Sequence, residues 1–458
     1  MKLKTSAYHI PVFIYRYGFV ALTLPLQTIF LESADPFLFT YIYLSNLLIL
    51  TTIVICACIS YKQIKCAKSR IQLNFSKGTF LQTNTHLPHK KIHTISITQG
   101  PLQRRLNICR LTAACAATRQ SIYTTTPESH KLLGNCTFQT IHRSSVFSTF
   151  LLCAGFYNAF TGALTLIPLL RKIATLANAH EYSAEFFTSA FAVYTISELP
   201  NVLFALSVII ILLWITGVMV TFLRYANLTF SLGDSSAKIT RGLVTKRTTY
   251  VNKQNVSAVI LRQNLLMILL DRYTGELRAA CDKNENKVTF LCGAKKNTAQ
   301  KVVQKTSFAS NCTKKEIRPH PKSLWGYTYL PVSLIALVSA TEIIADFYLV
   351  RGNTARLGLF IILWLAAWFF FRVCVWSKCF VKTSENSVCI GCYFGLTYCK
   401  AYIPKDKIRS TKITQSPFQR TKNTCTLRVF IKGSTKKSYF IKHIEKEKAA
   451  ELTQELCG

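Results

Sequence analysis

The chain has 458 residues, half of them hydrophobic, and carries a formal net charge of +36 with a mean hydropathy of +0.24. That combination conflicts with an ordinary soluble protein and resolves if apolar and basic segments alternate along the chain. The length alone allows roughly three domains.

The segments do alternate. Apolar runs of about the ~20 residues that a membrane span needs fall at 11–31, 38–60, 146–170, 202–223, 327–350 and 356–376. They form three pairs, giving transmembrane hairpins over 1–61, 144–223 and 325–376. The regions after them, 62–143, 224–324 and 377–458, hold 13, 19 and 16 Lys and Arg against 1, 6 and 6 acidic residues. Each pair returns the chain to the side it left, and the positive-inside bias puts both termini and all three basic regions in the cytoplasm. Arg16 interrupts the first apolar run and no clear small-x-small cleavage site stands before Glu32, so the run reads as a retained span rather than a cleaved signal.

In chain order, ESADPF supplies the first outer turn and YKQIKCAKSR a basic link. IQLNF alternates as a strand, Gly78 marks a turn, and THLPHKKIHTISITQG keeps a period of two through Ile92, Ile95 and Ile97. RLTAACAAT reads as a further strand and PESHKLL as a short helix. The second hairpin has an outer segment, 171–201, which is either a partly helical surface element or a plain loop. FSLGDSSAKITRGLVTKRTTYV predicts a hairpin through Gly233–Asp234, and KKNTAQKVVQKTSF a helix capped by Asn297 or Thr298. In the last region SVCIGCYFG and LTYCKAYIP read as strands, and TLRVFIKG with SYFIKH as a hairpin. IEKEKAAELTQELC follows as a helix burying Ile444, Ala449, Leu452 and Leu456.

A repeat organises this plan. Residues 87–111 return without a gap at 403–427, with twelve identities in 25 positions. Pro88, Ile92, Gln99 and Pro101 come back as Pro404, Ile408, Gln415 and Pro417. A weaker copy at 250–270 keeps Val256, Leu261 and Gln263 but has Asn252 and Leu265 for the prolines. A period near the size of a domain describes tandem modules. Pro88 and Pro404 are expected to start strands, and Pro101 and Pro417 to end them. The fold class is a membrane protein of α plus β type: six transmembrane helices alternating with three cytoplasmic β-barrels or sandwiches, each closed by a helix.

The signature resembles the bacterial pleckstrin-homology-like membrane proteins of the YdbS/YdbT type, and the tandem of three is like the larger YdbT-like members. Asn107 and Asn423 stand where that signature usually has glycine. The resemblance implies a seven-stranded pleckstrin-homology (PH) fold with a C-terminal helix in each copy, and no catalytic residues.

Three basic domains under a membrane feel the negative inner leaflet, at about 1 kcal/mol per basic side chain near the surface. Lys91, Arg104, Arg105, Lys407, Arg409, Arg420 and Lys422 are the candidates for lipid-headgroup or partner binding; the competing reading is a charge excess that only sets topology. Exposed sheet edges offer protein partners or further copies a route by strand addition. Glu342 and Asp346 share a helix face inside a span, which raises a transporter or intramembrane enzyme as the alternative, although Arg351 and Arg356 are near enough to neutralise them. His86, His89 and His93 are poorly arranged for a metal, and Cys389–Cys392 has no second pair at zinc spacing. Of the seventeen cysteines, Cys56, Cys58, Cys153 and Cys374 lie in or at spans and most of the others in regions assigned to a reducing compartment, which argues against disulfides. No enzyme motif, nucleic-acid module or cofactor site is visible. The expected protein is a non-enzymatic scaffold, metal-free and cofactor-free, acting in envelope maintenance or stress.

Overall fold

The computed structural model describes residues 2–3, 5–17, 36–69, 71–77, 82–115, 118–133, 137–156, 201–264, 267–268, 270–279, 287–306, 316–348, 353–394, 397–432 and 438–457. Three repeats run through them in one order: a strand, two helices, three strands, three more strands and a closing helix.

The first repeat comprises β1 (Lys2–Leu3), α1 (His9–Tyr17), α2 (Pro36–Gln63), β2 (Lys65–Lys68), β3 (Gln72–Lys77), β4 (Thr83–Pro88), β5 (Ile92–Gln99), a short α3 (Pro101–Arg105), β6 (Ile108–Cys115), β7 (Arg119–Thr125) and α4 (Thr126–Leu133). The second comprises β8 (Gln139–Arg143), α5 (Val146–Phe156), α6 (Asn201–Tyr225), β9 (Thr229–Leu232), β10 (Ser236–Arg241), β11 (Lys246–Asn252), β12 (Val256–Gln263), β13 (Arg272–Ala279), β14 (Lys287–Lys295) and α7 (Lys296–Lys305). The third comprises β15 (Glu316–Ile317), α8 (Leu324–Tyr348), α9 (Asn353–Lys378), β16 (Phe380–Thr383), β17 (Ser387–Phe394), β18 (Thr397–Pro404), β19 (Ile408–Thr414), a short α10 (Pro417–Arg420), β20 (Thr424–Ile431), β21 (Ser438–Glu445) and α11 (Lys446–Cys457). Four strands plus three in each repeat match the count that the resemblance implied.

Each helix pair is inserted between the first and second strands of its own sheet. Lys2 faces Ala67 and Leu3 faces Cys66; Glu316 faces Lys382 and Ile317 faces Val381; β8 lies beside β9. Strands 139–143 and 316–317, expected to end the first and second modules, thus join the sheets that follow them. The basic link YKQIKCAKSR likewise contains strand β2.

The chain divides into two compact units. The first, Met1–Ile141 with Phe230–Val256 and Ala279–Asn286, contains the sheet β1-β2-β3-β4 and the seven-stranded sheet β7-β6-β5-β11-β10-β9-β8. Leu73, Phe75, Leu87, Ile92, Ile97, Cys109, Leu111 and Ile122 form its core with Tyr250. The second unit, His142–Thr229 with Ser257–Arg278 and Lys287–Gly458, contains β14-β13-β12-β18-β17-β16-β15 and the three-stranded sheet β19-β20-β21. Its largest core joins Val388, Ile390, Ile403, Leu427, Val429, Ile441 and Ile444 to Ala449, Leu452 and Leu456 of α11; the last three form the helix face expected from sequence, while Ile444, expected on that face, lies in β21.

Each seven-stranded sheet is therefore shared by two repeats. In the first, Tyr250 of β11 stands opposite Ile95 of β5; in the second, Tyr402 of β18 stands opposite Val259 of β12. The Asn255 side-chain amide locks the first seam by donating to the carbonyls of Lys90 and Ile92, at 3.2 and 3.1 Å.

Several local expectations change. The period of two does not run through 87–93: Pro88 ends β4 and a 3-10 turn over His89–Lys91 follows, and Pro404 ends β18 in the same way. Pro101 and Pro417 do not close strands but begin α3 and α10. A residue with no N–H costs least at the first position of a helix. Helix α7 starts at Lys296, with Lys295 as its cap and no side-chain cap bond, so neither Asn297 nor Thr298 caps it.

Six spans were expected. Among the described residues two helical stretches are long and apolar enough to cross a membrane, Leu44–Gln63 and Leu324–Thr341, with a shorter apolar stretch at Leu212–Tyr225. Of the other expected segments, 11–31 and 146–170 lie partly outside the described residues and the outer segment 171–201 almost wholly so, whereas 202–223 and 356–376 fall within α6 and α9, many of whose side chains are outside the described residues.

Candidate functional site

The repeat signature builds a scaffold rather than a pocket. Ile92 and Ile408 are buried. Gln99 donates to the Thr126 hydroxyl at 2.8 Å and Gln415 to the Thr424 carbonyl at 3.0 Å. After each proline, a glutamine side chain reaches back to the backbone N–H before the helix: Gly100 donates to Gln103 at 2.9 Å and Ser416 to Gln419 at 3.0 Å. Asn107, Asp271 and Asn423 occupy one repeat position, with φ of 51°, 46° and 51°. That left-handed conformation explains why glycine is usual there and why Asn or Asp, which tolerate it best among other residues, replace it.

The basic candidates separate into two groups. Arg104 is committed to the fold: its guanidinium donates to the carbonyls of Leu243, at 2.9 Å, and Val244 in the β10–β11 turn. Lys91 and Arg105 are exposed. In the third repeat Lys407 pairs with Asp406 at 3.1 Å in the turn before β19. Arg409 projects from β19 itself, while Arg420 ends α10 and Lys422 follows it, all three exposed. Lys407, Arg409 and Lys412 thus follow one edge strand from its start, and Arg420 and Lys422 come beyond its other end.

A second set of positions, missed from sequence, pins each helix pair to its repeat. It is the third residue before the closing helix: Tyr123, Gly293 and His443. The Tyr123 N–H donates to His9 Nε2 at 2.8 Å, and the two rings pack edge-on at 4.9 Å. Gly293 has φ of +52° and lies so close to α5 that a Cβ would come within 2.5 Å of the Ser148 carbonyl oxygen. His443 has φ of 59° and packs on α8, where a Cβ on Gly326 would meet its ring at 2.6 Å. Tyr327 donates to the Lys442 carbonyl at 3.2 Å, Trp376 to the Ser323 hydroxyl at 3.3 Å, and Arg372 to the Tyr393 hydroxyl. The equal spacing from each closing helix was available in the sequence, but the three residue types share no chemistry that would mark it.

The electrostatics of these feet favour neutral side chains. Burial, then Lys77 and Arg110, push the His9 pKa from 6.5 down to about 4. Burial and the charges of Lys442 and Lys422 lower that of His443. Burial, with Arg372 and Arg428, lowers that of Lys442.

The remaining candidates do not assemble a reactive centre among the described residues. His86 bonds Asn74, His89 bonds the Ser69 carbonyl and His93 is buried in β5, so the three lie on three elements. Cys389 and Cys392 are buried strand residues, and burial raises the Cys392 thiol well above its ordinary pKa. A thiol held protonated is a poor nucleophile or ligand. Glu342 and Asp346 lie on α8, but their side chains, with Arg351 and the side chain of Arg356, are outside the described residues.

The family model described as Bacterial PH domain matches this chain three times, over residues 19–136, 186–303 and 333–457. Comparison with curated proteins and with solved structures found no match for the chain. The three matches take in most of the chain and follow the repeat at the spacing seen in the sheets, so the chain belongs to the Bacterial PH domain family.

Proposed function

We propose that the chain is a non-enzymatic, multi-pass protein of the cell membrane. Six spans in three hairpins hold its PH-like repeats at the cytoplasmic face, where they act as a scaffold for anionic lipid headgroups or protein partners, with a role in envelope stress. The observation that carries this reading is the pairing of the strands that flank each helix pair: β1 with β2, β8 with β9 and β15 with β16. A helix pair whose two ends meet in one sheet must leave and re-enter the folded body on the same face. The charge asymmetry then supports the cytoplasm as that face.

Lys91, Arg105, Lys407, Arg409, Arg420 and Lys422 are the residues proposed to meet headgroup phosphates or partners. The test uses the full chain, since β15 shows that residues 377–458 lack one strand of their own sheet. Protein extracted in mild detergent is assayed for retained phosphatidylglycerol by native mass spectrometry, at low and at physiological salt. Reversal of those six charges should reduce retention at least several-fold. Unchanged retention would remove the headgroup reading and leave protein partners as the function of the surface.

A further inference from the structure

The two seams between repeats are the same joint used twice. Ile95 is four residues before Gln99, and Val259 is four before Gln263, its repeat counterpart. Tyr250 is two residues before Asn252 and Tyr402 two before Pro404, again counterparts. Both seams place those equivalent residues opposite each other, Tyr250 with Ile95 and Tyr402 with Val259. The register is thus a property of the repeat.

One side of the joint is made by β5 and by β12. Their counterpart in the third repeat is β19, an end strand of its three-stranded sheet. The other side is made by β11 and by β18, and their counterpart in the first repeat is β4, an end strand of its four-stranded sheet. Burial follows the same logic. Tyr250 and Tyr402 are buried, whereas His86, two residues before Pro88, is exposed. On β19, Arg409, Ser410, Lys412 and Ile413 are exposed, whereas β12 is buried at all but Arg262.

We propose that β19 of one copy of this chain pairs antiparallel with β4 of a second copy, continuing from chain to chain the seam that joins the repeats within it. The proposal rests on the scaffold reading and names its protein partner. The shared register sets the pairs: His86 opposite Thr411, which lies four residues before Gln415, then Thr85 opposite Lys412, Asn84 opposite Ile413 and Leu87 opposite Ser410.

Charge does not oppose this joint more than the existing ones. The first seam accommodates Lys246 and Arg247 with no acidic residue in its ladder, and the second accommodates Lys400 beside Arg262, which pairs with Glu276 of β13 at 3.2 Å. The intermolecular ladder brings Lys412 alone. Arg420 stands at the repeat position of Arg104, the residue that holds the first seam, and its side chain is exposed. A head-to-tail contact of this kind closes into a ring or extends as a filament.

The experiment co-expresses two differently tagged full-length chains in one membrane, one carrying His86→Cys and the other Thr411→Cys, and oxidises them. Linked peptides are then mapped by mass spectrometry, which separates them from native cysteines. Opposed residues in a ladder lie within disulfide reach while residues two places off do not. The 86–411 link between tags should therefore exceed that from Asn84→Cys with Thr411→Cys by at least about tenfold. Equal yields, or a strictly monomeric mass for the unmodified chain in native mass spectrometry across the micromolar range, would overturn the proposal. Phosphatidylglycerol retention that persists in that case would leave the scaffold standing and remove only this partner; loss of both would remove the scaffold reading as well.

Discussion

The Arg104 guanidinium donates to the Leu243 carbonyl at 2.9 Å, joining the helix after β5 to the turn that leads into β11. Both ends of this seam are thereby fastened, since Asn255 holds the other. The bond is charge-assisted but exposed, so its worth is about 1 kcal/mol. Arg104→Ala should lower stability by roughly that amount and accelerate amide exchange across 246–252, while Arg105→Ala should do neither. Identical exchange in the two variants would show that Arg104 is not a lock.

Gly326 and His443 form a contact in which a methyl group has no room. Gly326→Ala should destabilise the third repeat by about 1–3 kcal/mol, the usual range for overpacking, although alanine is the better helix former. Truncating the ring opens the space, so Gly326→Ala combined with His443→Ala should cost less than the two changes added together. Thermal melts of the four proteins give the coupling; strict additivity would mean that the helix accommodates the methyl by moving.

Asn107 tests the left-handed turn. Its φ of 51° costs an alanine roughly 1–2 kcal/mol, whereas glycine adopts it without strain. Asn107→Ala should therefore be destabilising and Asn107→Gly close to neutral in the same melt, with the same order at Asn423. A glycine variant as unstable as the alanine variant would shift the explanation to the side-chain amide.

The pH dependence follows from His9 and His443. Burial holds both below their ordinary pKa, so the unfolded chain takes up protons first as the pH falls. Their contribution to stability is complete above 6.5 and is lost below it, for His9 down to about 4. The melting temperature should fall across that window, and exchange at β7 should rise with it. Replacing both histidines by glutamine should make the profile shallower, with His142, which burial also holds below 6.5, keeping part of the slope; an unaltered slope would assign the pH response to other groups.

Much of the architecture is legible in the sequence, and the failures have local causes. Strong periodicity carried β3, β5, β6, the β9–β10 hairpin, β17, β18, β20 and β21, the closing helix 446–457 and the repeat itself, while β7, β13, β14 and β16 went unread. The strands before each helix pair, only two to five residues long, are too short for periodicity to register, and their partners are separated from them by a hairpin. The seams are illegible for another reason: β5 and β11 pair over some 150 residues, and alternation reports which face of a strand is buried, not which neighbour lies at its edge. Of the basic candidates, charge alone could not separate Arg104, held by carbonyls of the next repeat, from Arg105, which is exposed.

The insertion of a helix pair between the first and second strands of every sheet has a consequence for synthesis. Each opening strand emerges from the ribosome before its helix pair and must wait for its neighbour until both helices have been made. Lys2 can meet Ala67, and Glu316 can meet Lys382, only if the chain has come back to the side from which it departed. Under the topology proposed above, closure of a sheet would be a parity check on membrane insertion, and a chain that lost one helix of a pair would forfeit the sheet along with the span.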